Sequence, residues 1–204
     1  MLRNIGKRYN REWIFRGVDA EFGEAESCVI LGANGSGKST LLQLIAGAYI
    51  PTEGQVEYRF GGTVTEQENL YRSVSIAAPY LELMEEFTLR ETIVFHNRFK
   101  NWRGGLNNEQ VLEISGLQSS AGKALRNFSS GMKQRVRLLL AILSDTPVLL
   151  LDEPCSNLDA AAVNWYQELV KNHRDNRVII VCSNQQEEEY FFCTQKLLVE
   201  NFKQ

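Results

Sequence analysis

The chain has 204 residues, a hydrophobic share of 44%, a charged share of 23% and a formal net charge of -3. These proportions are typical of one globular domain, here 1–204, and argue against an intrinsically disordered protein. Because nucleic-acid affinity depends mostly on neutralising phosphates with basic side chains, a chain of balanced charge is a poor candidate for a general nucleic-acid-binding protein, and we expect no nucleic-acid partner.

The first third of the chain predicts short strands around one helix. Residues 1–31 favour strands, and the last of these is the apolar run Ser27–Leu31. After a glycine-rich turn, helix-forming residues begin near Lys38 and continue to Ala46. Residues 51–54 then favour a turn before a strand at 55–58.

The middle of the chain predicts helices. Residues 88–91 have the spacing of a capping box, which indicates a helix as far as about Arg98. A second helix is predicted over residues 107–115. We therefore expect a helical subdomain, roughly 80–132, inserted in the rest of the fold.

The final third alternates helices with apolar strands. Helices are predicted over 136–143 and 160–172, and buried strands over 148–151 and 178–181. Continuous apolar strands alternating with helices indicate an α/β fold with a parallel sheet covered on both faces.

Residues 32–40 match the phosphate-binding pattern G-x-x-x-x-G-K-[ST]. A strand before it and a helix after it favour a real P-loop over a glycine-rich turn that binds nothing. Backbone N–H groups and the helix N-terminus would hold phosphates, with Lys38 on the β- and γ-phosphates and Ser39 on Mg²⁺. The candidate ATP-binding residues are Gly32, Asn34, Gly35, Ser36, Gly37, Lys38, Ser39 and Thr40.

The strand 148–151 ends in two carboxylates, Asp152 and Glu153. Buried carboxylates are costly unless they are paired or bound to a metal. With a P-loop in the same chain, we expect Asp152 to bind Mg²⁺ and Glu153 to lie beside the attacking water as the catalytic residue. The alternative, a strand that leaves the core into solvent, is less favoured because the chain also contains a P-loop.

Together with these motifs, three further segments resemble the ATP-binding-cassette (ABC) ATPase family over essentially the whole chain. Residues 128–135 resemble its signature, residues 156–159 its D-loop, and Tyr9 lies where the family has an aromatic that stacks on adenine. The resemblance implies a P-loop NTPase core with a mostly parallel sheet, an N-terminal antiparallel β subdomain and a helical subdomain.

The signature also has a local interpretation. Ser129 and Ser130 can cap a helix that runs to Leu143, which offers backbone N–H groups to an anion. The resemblance implies that Ser129, Ser130 and Gly131 contact nucleotide on the opposite subunit, and that Asp159 belongs to the D-loop. An ordinary serine-capped helix is the alternative, but Gly131 inside the helix argues for a special role, since glycine destabilises helices.

The chain also departs from the family's pattern. Met132 and Ser130 replace a Gln and a Gly of the signature. The Q-loop lacks its Gln, with Tyr80 as the expected substitute, and the switch His is missing, with Asn184 as the expected substitute. Because Asn cannot become cationic, we expect slow or partner-dependent hydrolysis. The acidic run 187–189 is expected to form a solvated face.

The four cysteines form no CxxC pair, so we expect free thiols and a cytoplasmic protein. The apolar runs are far shorter than the ~20 residues of a membrane span, and the N-terminus lacks a signal-peptide pattern. We therefore expect no direct membrane insertion, and any location at the inner face of the membrane would depend on another chain.

The resemblance implies an ATP-hydrolysing transporter subunit that dimerises, as a homodimer, around ATP and drives a separate permease. The permease would contact the Q-loop and helical region, where Leu81, Met84, Phe95, Phe99 and Trp102 are either an interface or the subdomain's own core. The alternative is a soluble, non-transport ABC ATPase acting as a switch on another macromolecule. The signature disfavours a kinase or small GTPase, while cargo and direction of transport are undetermined.

Overall fold

A computed structural model describes residues 1–203. The strands in chain order are β1 (Leu2–Tyr9), β2 (Glu12–Ala20), β3 (Ser27–Leu31), β4 (Glu53–Val56), β5 (Arg59–Phe60), β6 (Thr63–Val64), β7 (Val74–Ala77), β8 (Val148–Asp152), β9 (Val178–Ser183) and β10 (Gln195–Leu198). The α-helices are α1 (Lys38–Ile45), α2 (Leu89–His96), α3 (Asn108–Ser115), α4 (Ser130–Leu143), α5 (Ala160–His173) and α6 (Glu187–Tyr190).

The central sheet has five parallel strands in the order β10-β3-β9-β8-β7. Leu31 pairs with Ser183, and Asp152 pairs with Cys182. The carboxyl ends of β3, β9 and β8 therefore meet at one edge, which is where ligands bind in open α/β sheets. This confirms the predicted parallel sheet.

An antiparallel sheet of β2, β1 and β4 packs on one side of α1 and the central sheet. Its buried side chains form one core with the leucines of α1 and with alternate residues of the central strands. That core contains Ile5, Phe15, Val18, Leu41, Leu42, Leu44, Ile30, Leu150 and Ile180, all 1% exposed or less. Each such side chain stabilises the fold by roughly 1.5–3 kcal/mol relative to an exposed one, so α1 is fixed firmly beneath the P-loop.

The helices α2 and α3 pack on α4, on the other side of the central sheet. The capping box predicted at 88–91 is present, with Thr88 and Glu91 at the start of α2, and a second one, of Asn107 and Gln110, begins α3. Within the described residues, no helix has both the length and the apolar character needed to cross a membrane.

The aromatic residues of the helical region divide between core and surface. Trp102 is 4% exposed and belongs to the core, whereas Phe99 is 64% exposed. Met84 is 49% exposed and Leu81 lies beside it on the surface. The core alternative therefore holds for Trp102, whereas an interface formed by the exposed residues stays a prediction.

Four strands and one boundary differ from the sequence-based expectation. Strands β5, β6, β7 and β10 were not predicted, and β4 begins at Glu53, inside the segment expected to be a turn. Glu53 pairs with Gly6 of β1, so the neighbouring strand extends β4 over residues whose own propensity favours a turn.

Candidate functional site

The P-loop joins the end of β3 to the start of α1. Gly37 has a φ of 105°, a left-handed conformation that favours glycine. A Cβ at Gly37 would lie 2.5 Å from Cγ2 of Ile14, so packing against β2 also requires glycine here. Helix α1 begins at the next residue, Lys38, and its N-terminus supplies unpaired N–H groups and partial positive charge to an anion.

Lys38 lies across the P-loop and is 5% exposed. Its Nζ donates hydrogen bonds to the carbonyl oxygens of Gly32 at 2.7 Å and Ala33 at 3.1 Å. The ammonium is thus held over the loop that the sequence pattern assigns to phosphate. A compact positive charge on a flexible stem is suited to phosphate oxygens in this position.

Asp152, the last residue of β8, is 2% exposed. Neither carboxylate oxygen has a hydrogen-bond partner within residues 1–203. Burial raises the pKa of Asp152 and Glu153 adds to the rise, whereas Ser39 and Lys38 oppose it. An ionised carboxylate in such a place is costly without a compensating charge, and Ser39 lies close enough to share a cation with it. The donor set of Asp152 and Ser39 therefore fits a divalent ion that prefers oxygen ligands, such as Mg²⁺.

Glu153 follows in a left-handed conformation, with a φ of 43°. Its N–H donates to the carbonyl oxygen of Cys182 at 2.9 Å, and its carbonyl accepts from Ser156 N–H at 3.0 Å. A non-glycine residue in this conformation is strained and must be held by its surroundings. The chain thus turns sharply at Glu153, which separates the direction of its side chain from that of Asp152.

Tyr80, the expected Q-loop substitute, lies near this pair of acids. Burial raises the pKa of its phenol above the ordinary value, and Asp152 and Cys182 raise it further. A hydrogen bond with the side chain of Gln43 opposes the rise. Gln43 is on α1, one turn after Ser39, and was not identified from the sequence, although this i,i+4 spacing places both side chains on one helix face.

Asn184, the expected switch substitute, is exposed and lies beyond the end of β9. The residue at the strand end is Ser183, which is 0% exposed and pairs with Leu31, directly before the P-loop. Ser183 therefore lies between the strands that carry the P-loop and Asp152. Strand β9 thus ends two residues later than the predicted 178–181, and the role of Asn184 stays a prediction.

Tyr9 is the last residue of β1 and is 46% exposed. Its pKa is raised by desolvation and by Tyr49, and the nearby side chain of Thr40 opposes the rise. Thr40 belongs to the P-loop motif, so the tyrosine lies beside the candidate phosphate site. Lys7 Nζ lies 5.3 Å from the ring centroid of Tyr9 and 5.5 Å from that of Tyr49.

The signature segment forms the exposed N-terminus of α4. Ser129 is the N-cap and accepts a hydrogen bond from Met132 N–H at 3.2 Å, while Ser130 is the first helical residue and caps nothing. Both serines are exposed. In the D-loop, Asp159 caps α5 by accepting from Ala162 N–H at 2.8 Å.

A family model described as ABC transporter matches residues 15–156, which is more than half of the chain. The chain belongs to the ABC transporter family. It is accordingly an ATP-binding and ATP-hydrolysing subunit of the ABC type, as the motifs indicated.

Individual relatives and solved structures agree with the family. The chain is similar to the cytochrome c biogenesis ATP-binding export protein CcmA of Chelativorans sp. (strain BNC1), at 31% identity over 88% of each sequence. It is also 32% identical to the taurine import ATP-binding protein TauB of Jannaschia sp. (strain CCS1), over 83% of this chain and 65% of that protein. In fold it resembles an ABC transporter ATP-binding protein from Pyrococcus furiosus, with a TM-score of 0.81, 16% identity and coverage of 100% and 98% of the two chains.

Two acidic residues of this ABC subunit occupy positions that the sequence analysis does not predict. Glu189 is 2% exposed, so the expectation of a solvated face is wrong for this residue, although Glu187 and Glu188 are exposed. Glu200 accepts a hydrogen bond from the P-loop N–H of Ala33 at 2.7 Å. Neither the burial of Glu189 nor the contact of Glu200 has a local sequence signal, because each depends on segments that are far apart in the chain.

Proposed function

We propose that this ABC subunit holds Mg²⁺ and ATP between the P-loop and Asp152, dimerises around the nucleotide and drives a separate membrane permease. Two features carry the proposal: a buried ammonium, Lys38, on the P-loop, and a buried carboxylate without a hydrogen-bond partner, Asp152, at the same edge of the central sheet. The negative charge of a triphosphate would neutralise Lys38, and the positive charge of its cation would neutralise Asp152.

In binding, the helix N-terminus and Lys38 hold the phosphates, and Tyr9 offers its exposed ring to the base. Ser39 and Asp152 would hold Mg²⁺, which neutralises charge on the phosphates when bound. The described residues contain no group of three or more His, Cys, Asp or Glu side chains arranged for a metal. The remaining ligands of Mg²⁺ would thus be phosphate oxygens and water.

In hydrolysis, Glu153 orients and deprotonates the attacking water, while Tyr80, Ser183 and Asn184 offer only neutral polar groups to the γ-phosphate end of the site. A neutral hydroxyl or amide in place of a histidine cannot carry the second positive charge that such a site uses. We therefore expect slow turnover that a partner subunit accelerates.

The exposed Ser129 and Ser130, with the half-buried Gly131, are suited to the γ-phosphate held by a second subunit, because a capped helix start offers N–H groups to an anion. Asp159 of the D-loop would lie at the same dimer interface, which a homodimer would form twice. The exposed Leu81, Met84 and Phe99 are suited to a permease loop.

Both relatives named above are transport proteins, one for export and one for import. This favours a transporter subunit, held at the inner face of the cell membrane by its permease, over a soluble ATP-dependent switch. Because the two relatives transport in opposite directions, the direction of transport and the cargo stay outside the proposal.

A steady-state assay of phosphate release tests the proposal, with Glu153→Gln as the matched variant. Removal of the water-orienting carboxylate is expected to lower kcat at least 100-fold while ATP affinity is retained. Equal rates for the wild type and this variant, in the presence of the permease that co-purifies from membranes, would show that Glu153 is not the catalytic residue.

A further inference from the structure

The second peptide bond after Glu153, between Pro154 and Cys155, is held from both sides. The carbonyl oxygen of Pro154 accepts a hydrogen bond from Nε2 of Gln134 at 3.1 Å. The N–H of Cys155, in the same peptide unit, donates to Oε1 of Glu189 at 3.1 Å. Gln134 is 1% exposed and Glu189 is 2% exposed, so both bonds lie out of water and fix the orientation of the peptide plane.

The two side chains come from different parts of the fold. Gln134 is on α4, which begins at the signature, and Glu189 is on α6, which follows β9 and Ser183. The peptide that they hold joins the strained Glu153 to the D-loop. A rotation of this peptide changes ψ of Pro154 and φ of Cys155, and so alters the path of the turn that holds Glu153 in its strained conformation.

Burial of Glu189 is not explained by packing alone. Its Oε2 has no hydrogen-bond partner within the described residues, and an apolar side chain of similar size would avoid the desolvation cost of a carboxyl group. The hydroxyl of Tyr166 donates to the backbone carbonyl of Glu189 at 2.7 Å, so α6 has a separate attachment to α5. The Glu189 carboxyl group is therefore not needed to attach α6, and its hydrogen bond to Cys155 N–H must serve another purpose.

We propose that Glu189 is a positioning residue for ATP hydrolysis, which together with Gln134 fixes the peptide between Pro154 and Cys155 and thereby the direction of the Glu153 carboxylate. The inference rests on the proposed function and deepens it. Glu189 acts through the peptide and touches neither nucleotide nor cation.

The test compares three variants of the full chain, by phosphate release at saturating Mg–ATP and by equilibrium binding of ATP. Glu189→Met fills the site but accepts no hydrogen bond, so kcat should fall about 10-fold to 100-fold, the cost of a small misplacement of a catalytic group. Its Kd for ATP should stay within about twofold, because Lys38 and Asp152 are unaffected. Glu189→Gln keeps an acceptor oxygen and should retain most of kcat, and exposed Glu188→Gln is the matched control.

Gln134→Met tests the other side of the same peptide. Because both variants release one peptide, the losses in kcat of Gln134→Met and Glu189→Met should not multiply in the double variant. Unchanged kcat in Glu189→Met, or equal losses in Glu189→Gln and Glu189→Met, would overturn the inference. If Glu189→Met does not fold, full activity of Gln134→Met overturns it instead. Failure of the wild type itself to hydrolyse ATP would count against the proposed function, whereas these variant results bear on Glu189 alone.

Discussion

A Cβ at Gly131 would lie 2.7 Å from the carbonyl oxygen of Asn157. The first turn of α4 and the D-loop can therefore touch only because residue 131 has no side chain. The family resemblance implies that Gly131 contacts nucleotide on the opposite subunit, and the structure adds a contact within its own subunit. The signature and the D-loop of one chain are thus a single packed unit.

This contact reverses the usual effect of Gly131→Ala. In an ordinary helix the substitution stabilises by up to about 1 kcal/mol, but here the methyl group meets backbone and should destabilise by about 1–3 kcal/mol. Denaturant unfolding measures the change. A Cβ at Gly122 would meet nothing within 4 Å, so Gly122→Ala should be nearly neutral, and equal effects of the two substitutions would contradict the close contact.

The stability of the fold should fall in mild acid because of His96. Burial, with a smaller effect of Lys100, lowers the pKa of His96 to about 4; the ring stacks on Trp102 and pairs with Ser144 Oγ at 2.8 Å. Between pH 6.5 and 4 the unfolded chain binds a proton that the folded chain does not, so up to about 3 kcal/mol is lost as the pH falls through this window.

Chemical denaturation of the wild type and His96→Phe, at pH 7.5 and pH 5, measures this contribution. The variant has no imidazole to protonate, so its stability should decline less between the two pH values. The same decline in both proteins would mean that His96 is not held neutral.

Ionisation of the buried Glu189 should lower the stability of the fold as the pH rises, the opposite pH dependence to that of His96. Burial raises its pKa to about 7, with smaller contributions from Glu153 and Asp152 and opposition from Ser183 and Cys155 N–H. Because its pKa is raised in the folded state, the protonated Glu189 of the wild type stabilises the fold fully below about pH 4.5. This contribution to the free energy of unfolding is lost as the pH rises through 7. The stability of Glu189→Gln relative to the wild type should therefore increase from pH 4.5 to pH 7.5, by up to about 3 kcal/mol. A flat difference over that range would show that the carboxyl group is not desolvated.

The sequence predicts the inner strands of the parallel sheet because both of their faces are buried. Ser27–Leu31 is apolar throughout and coincides with β3. In contrast, β7 and β10 lie at the two edges of the sheet. Their sequences are interrupted by polar residues such as the exposed Lys196, and no continuous apolar run marks them.

The same distinction applies to the site. Lys38, Ser39 and Asp152 belong to local patterns with fixed spacing, so the sequence is enough to find them. Glu189 belongs to three consecutive glutamates, and only the packing of α6 against α5 and β9 decides which one faces inward. Contacts of this kind depend on tertiary structure and leave no short motif.

The most direct test of this account is calorimetric titration of the folded chain with ATP, with and without Mg²⁺. The wild type is expected to bind Mg–ATP, Lys38→Ala to bind about 10-fold to 100-fold more weakly through loss of a charged contact, and Asp152→Asn to lose the dependence of affinity on Mg²⁺. No measurable affinity of the folded wild type, or an affinity unchanged in Lys38→Ala, would contradict the account.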